Sequence, residues 1–287
     1  MRPRSRAGEI IGMRELRKSL VLAACLLGAL SLGASQGVAA GEATMAQPAK
    51  KPAKVYKGKA VSVGHGKARV VVGADAAGTP VSVSVLLSPG ALDGLPTELD
   101  KKSADGAWEF PLPMPAKAPR TGYSEVVIDW NPHGHPPEHI YTVPHFDFHF
   151  YTISAKEVDQ VHFSGPTDSA AEVSDQGLVP PHYKVIPETA INQMGVHAVN
   201  MDAPEFKGTP FTATFIYGYY QNRLTFLEPM VTRDFLKTRP RFAKPVETPA
   251  HYSSPGYYPT RYSVHYDAKL RGYLIELGGL KHATGGS

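Results

Sequence analysis

The chain has 287 residues, 42% hydrophobic and 20% charged, with 30 Lys and Arg, 26 Asp and Glu, and one cysteine. Six of the basic and two of the acidic residues fall in the first forty positions, leaving 24 of each in the rest. A formally neutral body excludes nucleic acid as a partner, because that needs clustered positive charge, and with Cys25 alone neither disulfides nor sulfur ligation can serve the fold.

Residues 1–40 read as a secretory signal peptide. Arg14, Arg17 and Lys18 precede the apolar run SLVLAACLLGALSLGA, and Val38 with Ala40 forms a small-residue cleavage pattern before Gly41. The expected location is therefore periplasmic or extracellular. Leu22-Ala23-Ala24-Cys25 also reads as a lipoprotein box, the alternative in which Cys25 carries lipid. The apolar run falls short of the ~20 residues that span a bilayer, so no transmembrane segment is expected in the mature chain.

Residues 41–54 (GEATMAQPAKKPAK) are small, charged and without apolar period, and read as a flexible tether. From Val55 onward short runs with β character alternate with turn residues: KARVVVGAD, PVSVSVLLS and YSEVVIDW. Gly64-His65-Gly66 reads as a hairpin turn rather than a phosphate loop, since no G-x-G-x-x-G opens a helix there. Helical candidates are short: PGALDGL at 89–95, AKEVDQV at 155–161 and TRDFLK at 232–237. Long loops are expected between 89 and 122 and between 163 and 195. Hairpins are expected around Tyr220-Gln221-Asn222 and Ala268-Lys269, with a disordered tail at 281–287. The reading is one mainly β domain over 55–280, an antiparallel barrel or sandwich with a few short connecting helices and long loops.

Five of the twelve histidines lie between His133 and His149. In HFDFHFY, alternation puts His145, Asp147, His149 and Tyr151 on one strand face and Phe146, Phe148 and Phe150 on the other. Buried without partners, two imidazoles and a carboxylate cost free energy that a cation would offset. At the strand rise the Cα atoms of His145 and His149 stand roughly 13 Å apart, so both reach one ion only if they lean inward or the strand bends. Two models remain open: both histidines as ligands with Asp147 orienting them, or Asp147 as ligand beside one histidine.

Other segments must complete the shell. His135, Glu138 and His139 flank Pro136-Pro137; MGVH presents His197 in a Gly-assisted turn; FLEPM presents Glu228 at a strand end. The favoured ligand set is His145, His149, His197 and Glu228, with His135 and Asp147 as supporting or alternative ligands. The ion is divalent, zinc by the imidazole and carboxylate donors.

WNPHGHPP, PHFDFHFY, MGVH, APEFKGTPFTATFIYGYY and LTFLEPM, with GHGKARVVV and ALDGLP, resemble the TTHB210-like family of exported bacterial proteins, a family of unassigned function, over about 57–237. The resemblance implies a β-rich extracytoplasmic domain, a homo-oligomer, and the motif residues His135, His145, Asp147, His149, His197 and Glu228 as the functional core. The family pattern carries an aromatic residue after the MGxH histidine, where Ala198 stands here.

No G-x-S-x-G elbow supports a nucleophilic hydrolase. The six tyrosines from Tyr252 to Tyr273 read as strand residues of high β-propensity, with stacking on a glycan or partner as the alternative. Two functions stand against each other, and the sequence does not decide whether the first is an enzyme. One is an exported metal-binding protein. The other is a non-catalytic envelope module whose histidines form a polar core or subunit contact.

Overall fold

The structure is a computed structural model and describes residues 51–103 and 105–286. The expected leader, Cys25 and most of the expected tether lie outside the described residues. The described residues start in a first sheet with β1 (Lys54–Lys57), β2 (Val61–Val63), β3 (Gly66–Ala74) and β4 (Pro80–Leu87). It then builds a second sheet: β5 (Trp108–Pro113), β6 (Glu125–Asn131), β7 (His145–Tyr151), β8 (Tyr183–Ile191), β9 (Gly195–Asn200), β10 (Ala213–Tyr220) and β11 (Arg223–Thr232). Next come β12 (Arg241–Pro245), β13 (Gly256–Tyr258), β14 (Arg261–Asp267), β15 (Gly272–Gly278) and β16 (Lys281–Ala283). Of these β12, β14 and β15 return to the first sheet, where β15 lies beside β4, while β13 and β16 pair separately.

All pairings are antiparallel, and the second sheet runs in the order β5-β6-β7-β11-β10-β9-β8. Its ends do not meet, so of the two expected architectures the fold is the sandwich and no closed barrel forms. Val70, Val72, Val83 and Val85 of the first sheet share one core with Ile128, Phe146, Phe148, Phe150 and Tyr217 of the second. Tyr262 of β14 packs on Phe215 of β10 with ring centroids 5.2 Å apart, which ties the layers together.

Turn chemistry sets the hairpins. Gln221 and Asn222 both take positive φ (49° and 57°), the backbone of the tight turn that matches strand twist. Gly64-His65 turns β2 into β3, and β3 must then pass close to the backbone of Ala91, where a Cβ on Gly66 would come within 2.2 Å of the amide nitrogen. The helical candidates shrink to a 3₁₀ turn at Pro89–Leu92, α1 (Ala155–Val158) and α2 (Arg233–Lys237). Ser154 and Glu157 cap α1 reciprocally, and Thr232 caps α2.

Three expectations are corrected. The loop at 89–122 contains β5 and the loop at 163–195 contains β8; both carry prolines (Pro111, Pro113, Pro187) that mask the strand pattern, and both are edge strands, where a missing N–H is tolerated. The tail is not wholly unstructured, because Lys281–Ala283 pairs with Gly256–Tyr258. No helix among the described residues is long and apolar enough to cross a membrane.

Phe148 is fully buried in the middle of the shared core. Phe148→Ala should destabilise the protein by about 3–5 kcal/mol through lost transfer energy and the cavity left behind, read as a lowered urea midpoint without a change in slope.

Candidate metal centre

β7 sits between β6 and β11, and all seven of its residues are buried. Its phenylalanines face the other sheet. Its polar face is directed away from the sandwich and is roofed by Tyr141 and Phe211, which pack with Ile216 and Met230 into a second, smaller core. Pairing across the strands then fixes the neighbours: Asn131 lies opposite His145, and Asp129 opposite Asp147.

In each histidine Nδ1 faces an oxygen. The nitrogen donates to a backbone carbonyl in three of them: His135 to Pro136 at 2.7 Å, His145 to Val143 at 2.7 Å and His197 to Thr189 at 2.8 Å. In His149 the Nδ1 lies 3.4 Å from Asp129 Oδ2. A carbonyl can only accept, so the proton sits on Nδ1 and Nε2 is left to face the centre.

The Nε2 atoms converge on carboxylates in two groups. In the first, His149 Nε2 lies 3.5 Å from Glu228 Oε1 and His197 Nε2 lies 3.8 Å from Glu228 Oε2. In the second, His145 Nε2 lies 3.2 Å from Asp147 Oδ1 and His135 Nε2 lies 3.5 Å from Asp147 Oδ2. Within each group the ligand atoms fall inside 4.8 Å of one another, so these buried groups could hold a metal ion.

His145 therefore stands with His135 and Asp147, apart from His149, His197 and Glu228. The cause is the straightness of β7, which stays in register with β6 along its whole length, so the two imidazoles never lean together. His197 is not in a turn: the turn is at 192–194, and Gly195 opens β9. Glu228 is inside β11, not at its end; the register to β7 passes from Leu227↔Phe150 to Met230↔Asp147, across Pro229, which has no N–H to give. Ala198 is buried in register between Val185 and Tyr217. Glu138 and His139 are exposed and stand outside both groups.

His197 and Glu228 lie two strands apart, a spacing of ~9–10 Å. Gly218 makes the approach practicable. It pairs with both His197 and Phe226, and a Cβ there would meet the Phe226 ring at 2.1 Å. That ring packs edge-on against His149 at 4.7 Å and tilts against His197 at 5.4 Å.

Two acids here were not singled out from the sequence. Asp129 follows from the alternation in EVVIDWN once β6 is laid antiparallel to β7. Asp105, on the loop before β5, has no comparable signal, yet its charge acts on His135, His197 and Glu228.

The electrostatics are uneven. Burial, then the charges of Asp147, Asp129 and Asp105, push the Glu228 carboxyl well above the usual range. For Asp147 burial also works upward, but His145 and His135 outweigh it and hold the carboxyl well below its ordinary value. Burial pushes His197 down to about 4, so it stays neutral as a ligand must.

A histidine held neutral makes the folded state lose stability on acidification. From pH 6.5 down to about 4 the unfolded chain takes up a proton that folded His197 refuses. In chelator-treated protein, His197→Gln should remove up to roughly 3 kcal/mol of the stability lost between those pH values; denaturant melts at pH 7 and pH 4 check this.

No curated protein and no solved structure matches the chain. One family model does: TTHB210-like, described as "Hypothetical protein TTHB210", matches residues 75–130, the stretch from the end of β3 into β6 that includes Asp105 and Asp129. This match supports placing the chain in the TTHB210-like family, whose function is unassigned.

Proposed function

We propose that this chain is an exported metal-binding protein in which His149, His197 and Glu228 hold a divalent ion, zinc by the character of the donors. One observation carries the reading: two imidazoles whose Nδ1 atoms face other oxygens aim Nε2 at a buried carboxylate across 3.5 and 3.8 Å. Those gaps are long for a charge-assisted hydrogen bond, which spans about 2.7–2.9 Å. They suit two ligands of one ion, since atoms bonded at ~2.0–2.1 Å and set at the tetrahedral angle stand about 3.4 Å apart. Glu228 Oε2 is buried without a hydrogen-bond partner, an expensive state for a carboxylate that coordination relieves.

Two histidines and one carboxylate leave a coordination position open, the arrangement of zinc sites that polarise a substrate or activate water. The surrounding chain holds the donors still. Thr189 fixes the His197 tautomer through its carbonyl, Asp129 faces the far nitrogen of His149, and Phe226 packs on both rings. Export rests on the leader at residues 1–40.

Protein purified without an affinity tag should carry stoichiometric metal by elemental analysis, with the ion of this group lost in His197→Ala and in Glu228→Gln while circular dichroism stays unchanged. Metal-free wild type, with both substitutions disturbing only fold or assembly, would establish the polar-core reading instead. Gly218→Ala, which leaves every ligand in place but displaces Phe226, should weaken zinc about 10- to 100-fold, measured by competition with a chromogenic chelator.

A further inference from the structure

We propose that His135, His145 and Asp147 form a second divalent-cation site beside the first, so that one face of the second sheet carries two ions. The inference rests on the metal-binding reading above and extends it to a group with the same donor set, two imidazoles and a carboxylate.

The geometry repeats that of the first group. Asp147 offers a different oxygen to each imidazole, Oδ1 to His145 at 3.2 Å and Oδ2 to His135 at 3.5 Å, and the two rings stand edge to face with centroids 4.7 Å apart. Both rings give Nδ1 to carbonyls, so both present Nε2. Asn131 Nδ2 donates to Asp147 Oδ2 at 2.7 Å, which orients the carboxylate from outside, as supporting residues do at metal centres.

A purely internal ion pair accounts for less. His145 is completely buried and Asp147 nearly so, yet His145 Nε2 and Asp147 Oδ1 make no well-formed hydrogen bond with each other or with any other group. Two atoms that close, both desolvated and both unsatisfied, are placed as ligands of something between them.

Charge balance points the same way. Asp105, Asp129 and Asp147 all act on Glu228, so four carboxylates bear on this face. A dication among His135, His145 and Asp147 offsets the charge of Asp147, the group nearest to it. Asp129 ties the groups together, opposite Asp147 in register and 3.4 Å from His149.

The groups differ in access at one ligand. The side chain of His135 is 30% exposed, with His145 at 0% and Asp147 at 6%, whereas those of His149, His197 and Glu228 are 1%, 12% and 3% exposed. The second ion therefore sits nearer solvent, under the loop between β6 and β7, and should leave first to a chelator.

The test is a metal count on the full chain, expressed with its leader, purified without a histidine tag, loaded with zinc and desalted. Two equivalents are expected in wild type and one in His135→Ala, which alters a partly exposed loop residue and spares the buried sheet. Asp147→Asn, similar in volume, should also keep one, and His197→Ala should keep the complementary one. Brief chelator treatment of wild type should remove one equivalent before the other, and His135→Ala should lack that fast phase. One equivalent in wild type, unchanged in His135→Ala and lost in His197→Ala, overturns the second site and leaves the first. No bound metal at all overturns both.

Discussion

The structure depends on one strand that is buried on both sides although its sequence alternates. In antiparallel sheets an alternating strand ordinarily gives its polar side chains to water. Here Phe146, Phe148 and Phe150 enter the sandwich core while His145, Asp147 and His149 face a second covered space, at 0%, 5% and 1% exposure. Register is thereby fixed. A slip of one residue would drive imidazoles and a carboxylate between two apolar sheets and push three phenyl rings among carboxylates. The roof of Tyr141, Phe206 and Phe211 then removes the water that would otherwise solvate the polar face, so charges placed there must be settled by neighbours or by an ion.

The backbone around the centre is shaped to hold imidazoles by their far nitrogens. Thr189 shows how. Its carbonyl accepts from His197 Nδ1, its hydroxyl oxygen accepts from the His197 amide, and its hydroxyl donates to Ile186. This is possible because β8 is irregular: its register to β9 shifts between Ile186 and Ile191, around Pro187, and the bulge turns a carbonyl toward the ring. The segment that breaks the ladder is therefore the one that fixes the tautomer. Asp129 Oδ2 faces His149 Nδ1 at 3.4 Å from the adjoining strand β6.

Much of this was legible where a strand declares itself by period. HFDFHFY fixes both of its faces, and its length already separates His145 from His149 by about 13 Å if the strand stays straight. The structure keeps it straight, and the expected ligands fall into two groups accordingly. Edge strands were hidden because proline is tolerated there, which made WEFPLP and YKVIPETAI look like loops. His197 was named from the sequence, but its place in a strand was hidden by Gly195, a turn residue by habit that instead begins a strand close to Thr225 and the carbonyl of Tyr219. Asp105 and the partnership of His135 with Asp147 depend on loop paths, and no local pattern encodes them.

The imbalance between Asp147 and Glu228 shows why cations fit this face better than protons do. Protons do no more on the Asp147 side than hold an ionised carboxylate beside two imidazoles, with His145 Nε2 and Asp147 Oδ1 still lacking a well-formed hydrogen bond. They serve the other side badly, because His197 is pressed toward neutrality by the same burial that presses Glu228 toward protonation. A neutral acid facing the neutral His197 ring across 3.8 Å gains little from it. A divalent ion reverses both tendencies at once, since it stabilises the carboxylate and needs the neutral ring. In the proposed reading, burial, which is a cost for the metal-free face, would favour a cation that accepts nitrogen and oxygen donors together, and its binding energy would add to the stability of the folded state alone.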